Sequence, residues 1–301
     1  MQAEAKLTDS KLAIAVQQLR AEMAFKNMTE ILSGQGIDVL LLKGPHLGST
    51  VYDSPQQRLY GDLDILVRPD EFDRAAALLR ENGFEPFAFD EFAPEIQRDF
   101  KHWEYRSPQG VIVELHRWLS GHDRFDVDSG GLFERAEPFT FGETPAKGLG
   151  KEDLLLHLCL HMGTSYFLAI ERKHIRDIAL LVGKREVDWP VFMKRAQSAG
   201  AAAVVHYALL ASRLQEGTEI PARVLGELRP CFFRRLWLDA HIDPGSYPIY
   251  RFPLHSMKRI KRRLLLPLLD SPGQWLAFIA RMTGNKLRAL GRRHWSGRPF
   301  T

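Results

Sequence analysis

Two aspartates, Asp62 and Asp64, stand one residue apart in the apolar stretch RLYGDLDILV, residues 58–67. Burying carboxylates beside a hydrophobic strand costs free energy unless a cation compensates their charge. Because side chains alternate between the two faces of a strand, both aspartates point the same way, about 7 Å apart. Mg²⁺ prefers a few carboxylates together with water and phosphate oxygens. The spacing therefore predicts a cation site.

A third carboxylate, Glu114, lies in VIVELHR, residues 111–117. It shares one strand face with His116, which we place either at the rim of the site or on the surface. If this strand lies beside the first, three acids on adjacent strands can hold two metal ions for phosphoryl or nucleotidyl transfer. The alternative for so short a motif is that Asp62 caps a turn and Asp64 pairs with an arginine.

A possible anion site precedes the aspartates. The apolar run 37–44 suits a buried strand that ends at Lys43-Gly44, and a short helix is predicted over 45–53 with Pro45 at its first position. A loop that enters a helix presents backbone N–H groups to an anion, and Lys43 adds a point charge for phosphate. A surface lysine at a strand end fits Lys43 equally well. Arg58 either contacts phosphate or forms a salt bridge to one of the acids.

Other charged residues admit two interpretations. Lys173 and Asp177 lie on one predicted helix, ERKHIRDIALLV. They either contact a nucleotide base or ribose, or form an i, i+4 ion pair with each other.

The elements that position these residues change in character along the chain. A helix is predicted over 10–33, followed by strands at 61–67 and 84–90, a helix over 71–82, a hairpin of 102–107 with 111–118, and a loop over about 120–150. From Lys151 the apolar period becomes helical throughout. We expect an α+β fold, with a small mixed sheet and flanking helices followed by a C-terminal α-helical domain. The predicted divisions are 1–36, 37–150, 151–250 and 251–301.

Composition places the chain among ordinary globular proteins, with 301 residues, 45% hydrophobic and 26% charged. Its two cysteines form no CxxC motif and cannot build a disulfide framework, so we expect a reducing, cytoplasmic setting. The first residues resemble no signal peptide, and no apolar run is long enough to span a bilayer.

The charge is distributed unevenly. From Arg251 onward there are twelve basic residues and one acidic residue, a net charge of +11, so residues 1–250 carry −7 of the total of +4. Basic tails bind polyanions. Residues 257–301 suggest a solvated helix face packed on the core, a segment peripheral at an anionic membrane surface, or an RNA contact.

The combination LLKG…LGSTVYDSPQQR…DLDILV…VELH resembles the nucleotidyltransferases of the DNA polymerase β superfamily. It is most similar to a bacterial group of nucleotidyltransferases within that superfamily. The resemblance covers about residues 37–118, and it weakens in the helices up to about 200. It differs in its glycine motif, which is Lys-Gly-Pro here in place of Gly-Gly or Gly-Ser, and in having Glu114 rather than aspartate as the third acid.

The resemblance implies a polymerase-β-like core and Mg²⁺-dependent transfer of an NMP from an NTP to a hydroxyl acceptor. It implies that Asp62, Asp64 and Glu114 are catalytic and bind two Mg²⁺ ions, and that Lys43 and Gly44 mark the triphosphate loop. The helical domain of such enzymes closes over the nucleotide, so Arg58, Lys173 and Asp177 are candidate nucleotide contacts. Two other hypotheses remain: a nucleotide-binding or regulatory module without turnover, and an adaptor that binds an anionic surface through the basic tail.

Overall fold

In a computed structural model of the chain, the structure describes residues 2–87, 102–120, 124–164, 171–247, 249, 268–270, 273 and 276. Of residues 2–11 it describes the backbone alone. The basic tail therefore lies almost entirely outside the described residues, as do the last three residues of the strand predicted at 84–90.

The first half of the chain alternates helices with short strands. Its elements are α1 (Gln2–Ser33), β1 (Leu40–Leu41), α2 (Lys43–Thr50), a 3₁₀ turn (Pro55–Gln57), β2 (Asp62–Leu66), α3 (Phe72–Glu81), β3 (Glu85–Pro86), β4 (His102–Arg106), β5 (Ile112–His116), α4 (Ser129–Glu134), β6 (Glu137–Phe141) and β7 (Thr144–Gly148).

The five-stranded sheet is mixed, with strand order β1-β2-β5-β4-β3. β2 and β5 run parallel, whereas the other three pairs are antiparallel. The parallel pair places Asp64 directly opposite Glu114. Two strands that are distant in the sequence therefore bring their acidic residues side by side.

One face of this sheet is apolar and packs against α1 and α3. Leu63 and Ile65 of β2 are fully buried there, as are Val113 and Leu115 of β5. The helices contribute buried apolar side chains to the same cluster, among them Phe25, Met28 and Leu32 of α1 and Phe72, Ala76 and Leu79 of α3. Because side chains alternate along a strand, Asp62, Asp64 and Glu114 lie on the opposite face of the sheet.

The second half is helical. It contains α5 (Lys151–Thr164), α6 (Arg172–Lys184), α7 (Trp189–Ser198), α8 (Ala202–Glu216), α9 (Ala222–Glu227) and α10 (Phe232–Asp239). Their apolar side chains form a second buried cluster that also includes Leu40 of β1, Leu47 of α2 and Leu42 between these two elements. The predicted α+β class, with a mixed sheet followed by helices, is confirmed. None of the helices in the described part of the chain is both long enough and apolar enough to cross a membrane.

Several predicted boundaries are wrong, among them the start of the first helix, which is expected at residue 10 and lies at Gln2. The loop expected over 120–150 contains α4 and the hairpin of β6 and β7, because Phe139, Phe141 and Ala146 supply enough apolar surface to order a segment rich in glycine and proline. The helix expected to begin at Pro45 begins at Lys43. The strand run expected to continue to Lys43-Gly44 ends at Leu41.

Candidate functional site

Carboxylates cross the polar face of the sheet in a row, because three neighbouring strands are in register. Asp64 of β2 is paired with Glu114 of β5, and Glu114 is paired with Glu104 of β4. Asp62 shares this face, two residues before Asp64. Directly opposite like charges destabilise a sheet unless a cation lies between them. The row therefore needs positive charge.

Two histidines form the next row on the same face, where His116 of β5 is paired with His102 of β4. The His116 side chain is fully buried, and its Nε2 atom lies 2.9 Å from Asp64 Oδ1 and 3.1 Å from Glu114 Oε2. His102 Nε2 lies 3.6 Å from Glu104 Oε1 and 3.8 Å from Glu114 Oε2. The Nε2 atom of each imidazole thus faces carboxylate oxygens.

Lys43 brings the one ammonium group that contacts this row within the described residues. Its Nζ atom lies 2.5 Å from Asp64 Oδ1, and the two side chains are 15% and 4% exposed. The alternative in which Asp64 pairs with an arginine is therefore wrong, and so is the alternative of a surface position for Lys43. The ammonium occupies a position beside Asp64 where a bound cation is expected.

The pKa values show that this positive charge stabilises the ionised form of Asp64 but does not compensate Asp62. Burial, followed by the charges of Asp64 and Glu114, raises the pKa of Asp62 to about 6. Burial also raises the pKa of Asp64, but Lys43 and His116 outweigh it and hold the value well below its ordinary range. No hydrogen bond to the Asp62 side chain occurs among the described residues. Asp62 is thus the carboxylate that lacks a partner.

The first turn of α2 lies against Asp64, since the Leu42 N–H donates to the Asp64 backbone carbonyl at 2.9 Å. No side chain caps this helix. The N–H groups of Lys43 and Gly44 are therefore available to an anion, whereas Pro45 has none. Gly44 is required for packing, because a Cβ atom there would lie 2.7 Å from the Tyr60 Cβ atom.

Lys43 adopts φ = +47°, in the left-handed region that only glycine enters at no cost. Such strain is concentrated at functional sites, where the surrounding structure enforces it. Here the unusual backbone turns the chain directly from β1 into α2 and aims the Lys43 ammonium at Asp64. A lysine therefore stands at a position that sterics alone would give to glycine.

Arg58 does not pair with Asp62 or Asp64, so that alternative is wrong. Its guanidinium makes two 2.8 Å bonds to Asp177, from Nε to Oδ1 and from Nη2 to Oδ2. The Tyr52 hydroxyl also donates to Asp177 Oδ1 at 2.8 Å. Burial, together with Asp177, raises the pKa of Tyr52. This buried cluster ties the segment before β2 to α6.

Lys173 pairs with Glu171 at 3.0 Å, so the i, i+4 ion pair expected between Lys173 and Asp177 is wrong. Asp177 is fully buried and engaged by Arg58, whereas Lys173 is 41% exposed. The structure does not bring Arg58, Lys173 or Asp177 into contact with the carboxylate row. Their assignment as nucleotide contacts stays a prediction.

Asp62, Asp64 and Glu114 suit a magnesium ion. Their side chains share one face of adjacent strands, and the raised pKa of Asp62 shows that the charge of this carboxylate is under-compensated. Sequence reasoning noted His116 only as a possible rim residue and missed His102 and Glu104. Alternation in HWEYR, residues 102–106, would have placed His102 and Glu104 on one face, but only the register of β4 on β5 shows which residues they oppose.

Residues 2–214 match a family model described as "Uncharacterised nucleotidyltransferase". This match covers more than two thirds of the chain and agrees with the polymerase-β-like core implied by the motifs. No curated protein matches the sequence.

Several solved structures show remote similarity to this chain. The antibiotic-resistance factor ANT(2'')-Ia is 9% identical, with 63% of this chain and 94% of that chain covered and a TM-score of 0.41. The lincosamide antibiotic adenylyltransferase LnuA is 14% identical, with 53% and 95% covered and a TM-score of 0.37. An antigenic nucleotidyltransferase-like protein from Paracoccidioides brasiliensis is 16% identical, with 56% and 75% covered and a TM-score of 0.34.

Proposed function

The chain belongs to this family of nucleotidyltransferases, and from that premise we propose that it moves an NMP from an NTP to a hydroxyl acceptor with Mg²⁺ as cofactor. The observation that carries this proposal is the register of β2 on β5. It sets Asp64 opposite Glu114, with Asp62 on the same face, beside the uncapped first turn of α2.

Each part of the site has a distinct task in this proposal. Asp62, Asp64 and Glu114 would hold Mg²⁺, which when bound neutralises the triphosphate and activates the acceptor hydroxyl. The N–H groups of Lys43 and Gly44 bind phosphate oxygens at the helix N-terminus. The Lys43 ammonium leaves Asp64 and contacts the triphosphate, because a phosphate and a carboxylate compete for the same cation.

Thermal unfolding in the presence of each of the four NTPs, with and without Mg²⁺, tests this proposal. A ligand at a hundred times its Kd adds about 2.7 kcal/mol to the free energy of unfolding. We expect a Mg²⁺-dependent rise in Tm with at least one NTP, and we expect Asp62→Asn to abolish it. Asp73→Asn is the matched control, because Asp73 lies on α3, the helix that covers the other face of the sheet. No shift with any NTP would contradict the proposal.

A nucleotide-binding module without turnover is the second candidate. One observation favours it: the Lys43 ammonium and the His116 imidazole already contact Asp64 at 2.5 and 2.9 Å. The two candidates differ in pyrophosphate release. An enzyme releases pyrophosphate from the NTP that raises its Tm, at least slowly with water as acceptor, whereas a binding module gives the same rise in Tm and no pyrophosphate.

We further propose the divisions 1–36, 37–150 and 151–250, followed by a tail. The ends of α1 and β7 and the start of α5 are consistent with them. The proposed contact of residues 257–301 with an anionic membrane or RNA rests on sequence alone, since nearly all of that segment lies outside the described residues. A cytoplasmic location, with or without peripheral attachment to a membrane, stays a prediction.

A further inference from the structure

The imidazole row and the carboxylate row meet on β4 and β5, and three of their atoms converge. His102 Nε2, His116 Nε2 and Glu114 Oε2 all lie within 4.8 Å of one another. They come from two antiparallel strands, on which His102 is the direct partner of His116. This group borders the pair Asp62 and Asp64 on β2, because His116 Nε2 also lies 2.9 Å from Asp64 Oδ1.

The distances are close to those of a metal site. Zn–N bonds measure about 2.0–2.1 Å and Zn–O bonds about 2.0–2.2 Å, so ligand atoms of a tetrahedral ion lie about 3.3–3.5 Å apart. Here Glu114 Oε2 lies 3.1 Å from His116 Nε2 and 3.8 Å from His102 Nε2. The side chains of His102 and Glu114 are 16% and 18% exposed, so they have more room to adjust around an ion than the fully buried His116.

The ligand types select the class of metal. Imidazole nitrogen suits zinc, copper, iron and nickel, whereas Mg²⁺ takes carboxylate, carbonyl and water oxygens. The buried His116 side chain also has the required orientation. Within the described residues the polar contacts of His116 run through Nε2, because its Nδ1 atom is buried without a hydrogen-bond partner. Nε2 thus faces the cluster.

Electrostatics supply an independent reason for a cation here. Glu104 lies directly opposite Glu114 on the same face, and like charges in that position destabilise a sheet. The Lys43 ammonium is bonded to Asp64, on the far side of Glu114 from Glu104. A divalent ion between His102, His116 and Glu114 would compensate both glutamates.

We propose that His102, His116 and Glu114 bind one transition-metal ion, of the class of Zn²⁺ or Co²⁺, in addition to the proposed Mg²⁺. Three protein ligands leave further coordination positions open to water or a substrate oxygen, as in catalytic rather than structural zinc sites. The proposal rests on the proposed function only in its position beside the nucleotide site; the metal binds with or without turnover.

Cobalt titration of the full-length chain tests this site without any assay of activity. The protein is first dialysed against EDTA, and Co²⁺ is then added while its visible d–d absorption is recorded and bound metal is counted by elemental analysis. We expect one tightly bound equivalent, with an absorption typical of nitrogen ligation and low coordination number. Excess Mg²⁺ does not remove this band, whereas Zn²⁺ does.

His102→Gln is the decisive variant, because His102 is partly exposed and its replacement disturbs folding less than that of the buried His116. We expect the affinity for Co²⁺ to fall at least about tenfold. Asp62→Asn, which removes a carboxylate from the same face, keeps the band, as does His241→Gln after α10. The Tm of each metal-free variant shows that it is folded.

Each other outcome overturns the assignment. Absence of the band in the wild type, or its persistence in His102→Gln, would exclude this site. Loss of the band in Asp62→Asn would place the ion among the carboxylates of β2. Failure of this metal site is distinct from failure of the proposed function. If only the metal site is wrong, the Mg²⁺-dependent rise in Tm with an NTP is still observed. If only the proposed function is wrong, no NTP raises the Tm but the Co²⁺ band is still observed.

Discussion

Two buried clusters of charged side chains differ in whether the charge is balanced within the cluster. At the junction between the sheet and α6, Arg58 and Asp177 meet through two 2.8 Å bonds, and Tyr52 donates a third. At the site, four carboxylates lie on one face of the sheet, and the Lys43 ammonium contacts one of them. The junction is complete in itself, whereas the site requires a cation.

The pKa of Asp62 also distinguishes the unbalanced cluster from the balanced one. A buried ion pair with full hydrogen bonding keeps both partners charged. Asp62 lacks such a partner, and its pKa is raised to about 6 by burial and by its acidic neighbours. A balanced cluster of this kind is structural, and an unbalanced cluster on a sheet face predicts a bound ligand. Substitutions at Asp177, Asp62 and Lys43 test this distinction.

Asp177→Ala should destabilise the protein most, because it leaves the Arg58 guanidinium buried without its counter-ion. Removing one partner of a buried pair costs about 3–5 kcal/mol. Urea unfolding measures this loss. Asp38→Ala is the control, since it breaks an exposed ion pair with Lys147 and should cost less than about 1 kcal/mol. Equal losses in the two variants would show that the junction is no more structural than a surface pair.

Asp62→Asn should stabilise the metal-free protein at neutral pH. The folded-state pKa of Asp62, about 6, lies above its ordinary value of 3.8, so its ionisation opposes folding. The penalty is complete above pH 6, and it disappears as the pH falls below 4. Removing it should add on the order of 1–3 kcal/mol above pH 6 and nothing at pH 3.5.

Urea unfolding of the wild type and Asp62→Asn, at several pH values in EDTA, measures this gain. Saturating Mg²⁺ should reverse the order of the two proteins, because only the wild type binds it at full strength. A gain that did not depend on pH would mean that Asp62 is not under electrostatic strain.

Lys43→Met should have opposite effects on two ligands. Without the ammonium, Asp64 is freer to bind a metal, so the affinity for Mg²⁺ alone should rise up to about tenfold, or 1.4 kcal/mol. The affinity for Mg²⁺ with an NTP should fall by a similar factor, because the contact of Lys43 with phosphate is lost. Calorimetric titration measures both constants. A fall in both would mean that Lys43 holds the site together rather than standing in for a cation.

The local pattern of the sequence predicts half of this contrast. Alternation within DLDIL and VIVELH identifies which acids share a face, and the apolar residues between them predict the buried face of the sheet. The pattern does not contain the register. That Asp64 lies opposite Glu114, and Glu104 opposite Glu114, depends on pairing between strands about 50 and 10 residues apart.

The junction was less accessible to sequence reasoning. Arg58 and Asp177 are 119 residues apart in the sequence, and residues of opposite charge lie nearer to each of them along the chain. Lys173 stands one helical turn before Asp177, which favoured a local ion pair, but Lys173 is exposed and Asp177 is buried. Asp177 pairs with Arg58 because both side chains are buried, and their burial depends on how α6 packs in the complete fold.

We expect the unbalanced face of the sheet to bind the metal-bound triphosphate. The most direct measurement is an anomalous difference map from crystals grown with Mn²⁺ and a non-hydrolysable analogue of the NTP that raises the Tm most. We predict a peak bounded by Asp62, Asp64 and Glu114, with the triphosphate at the first turn of α2 and the Lys43 ammonium on phosphate. A nucleotide bound elsewhere, or Lys43 still on Asp64 with no metal beside it, would contradict the account.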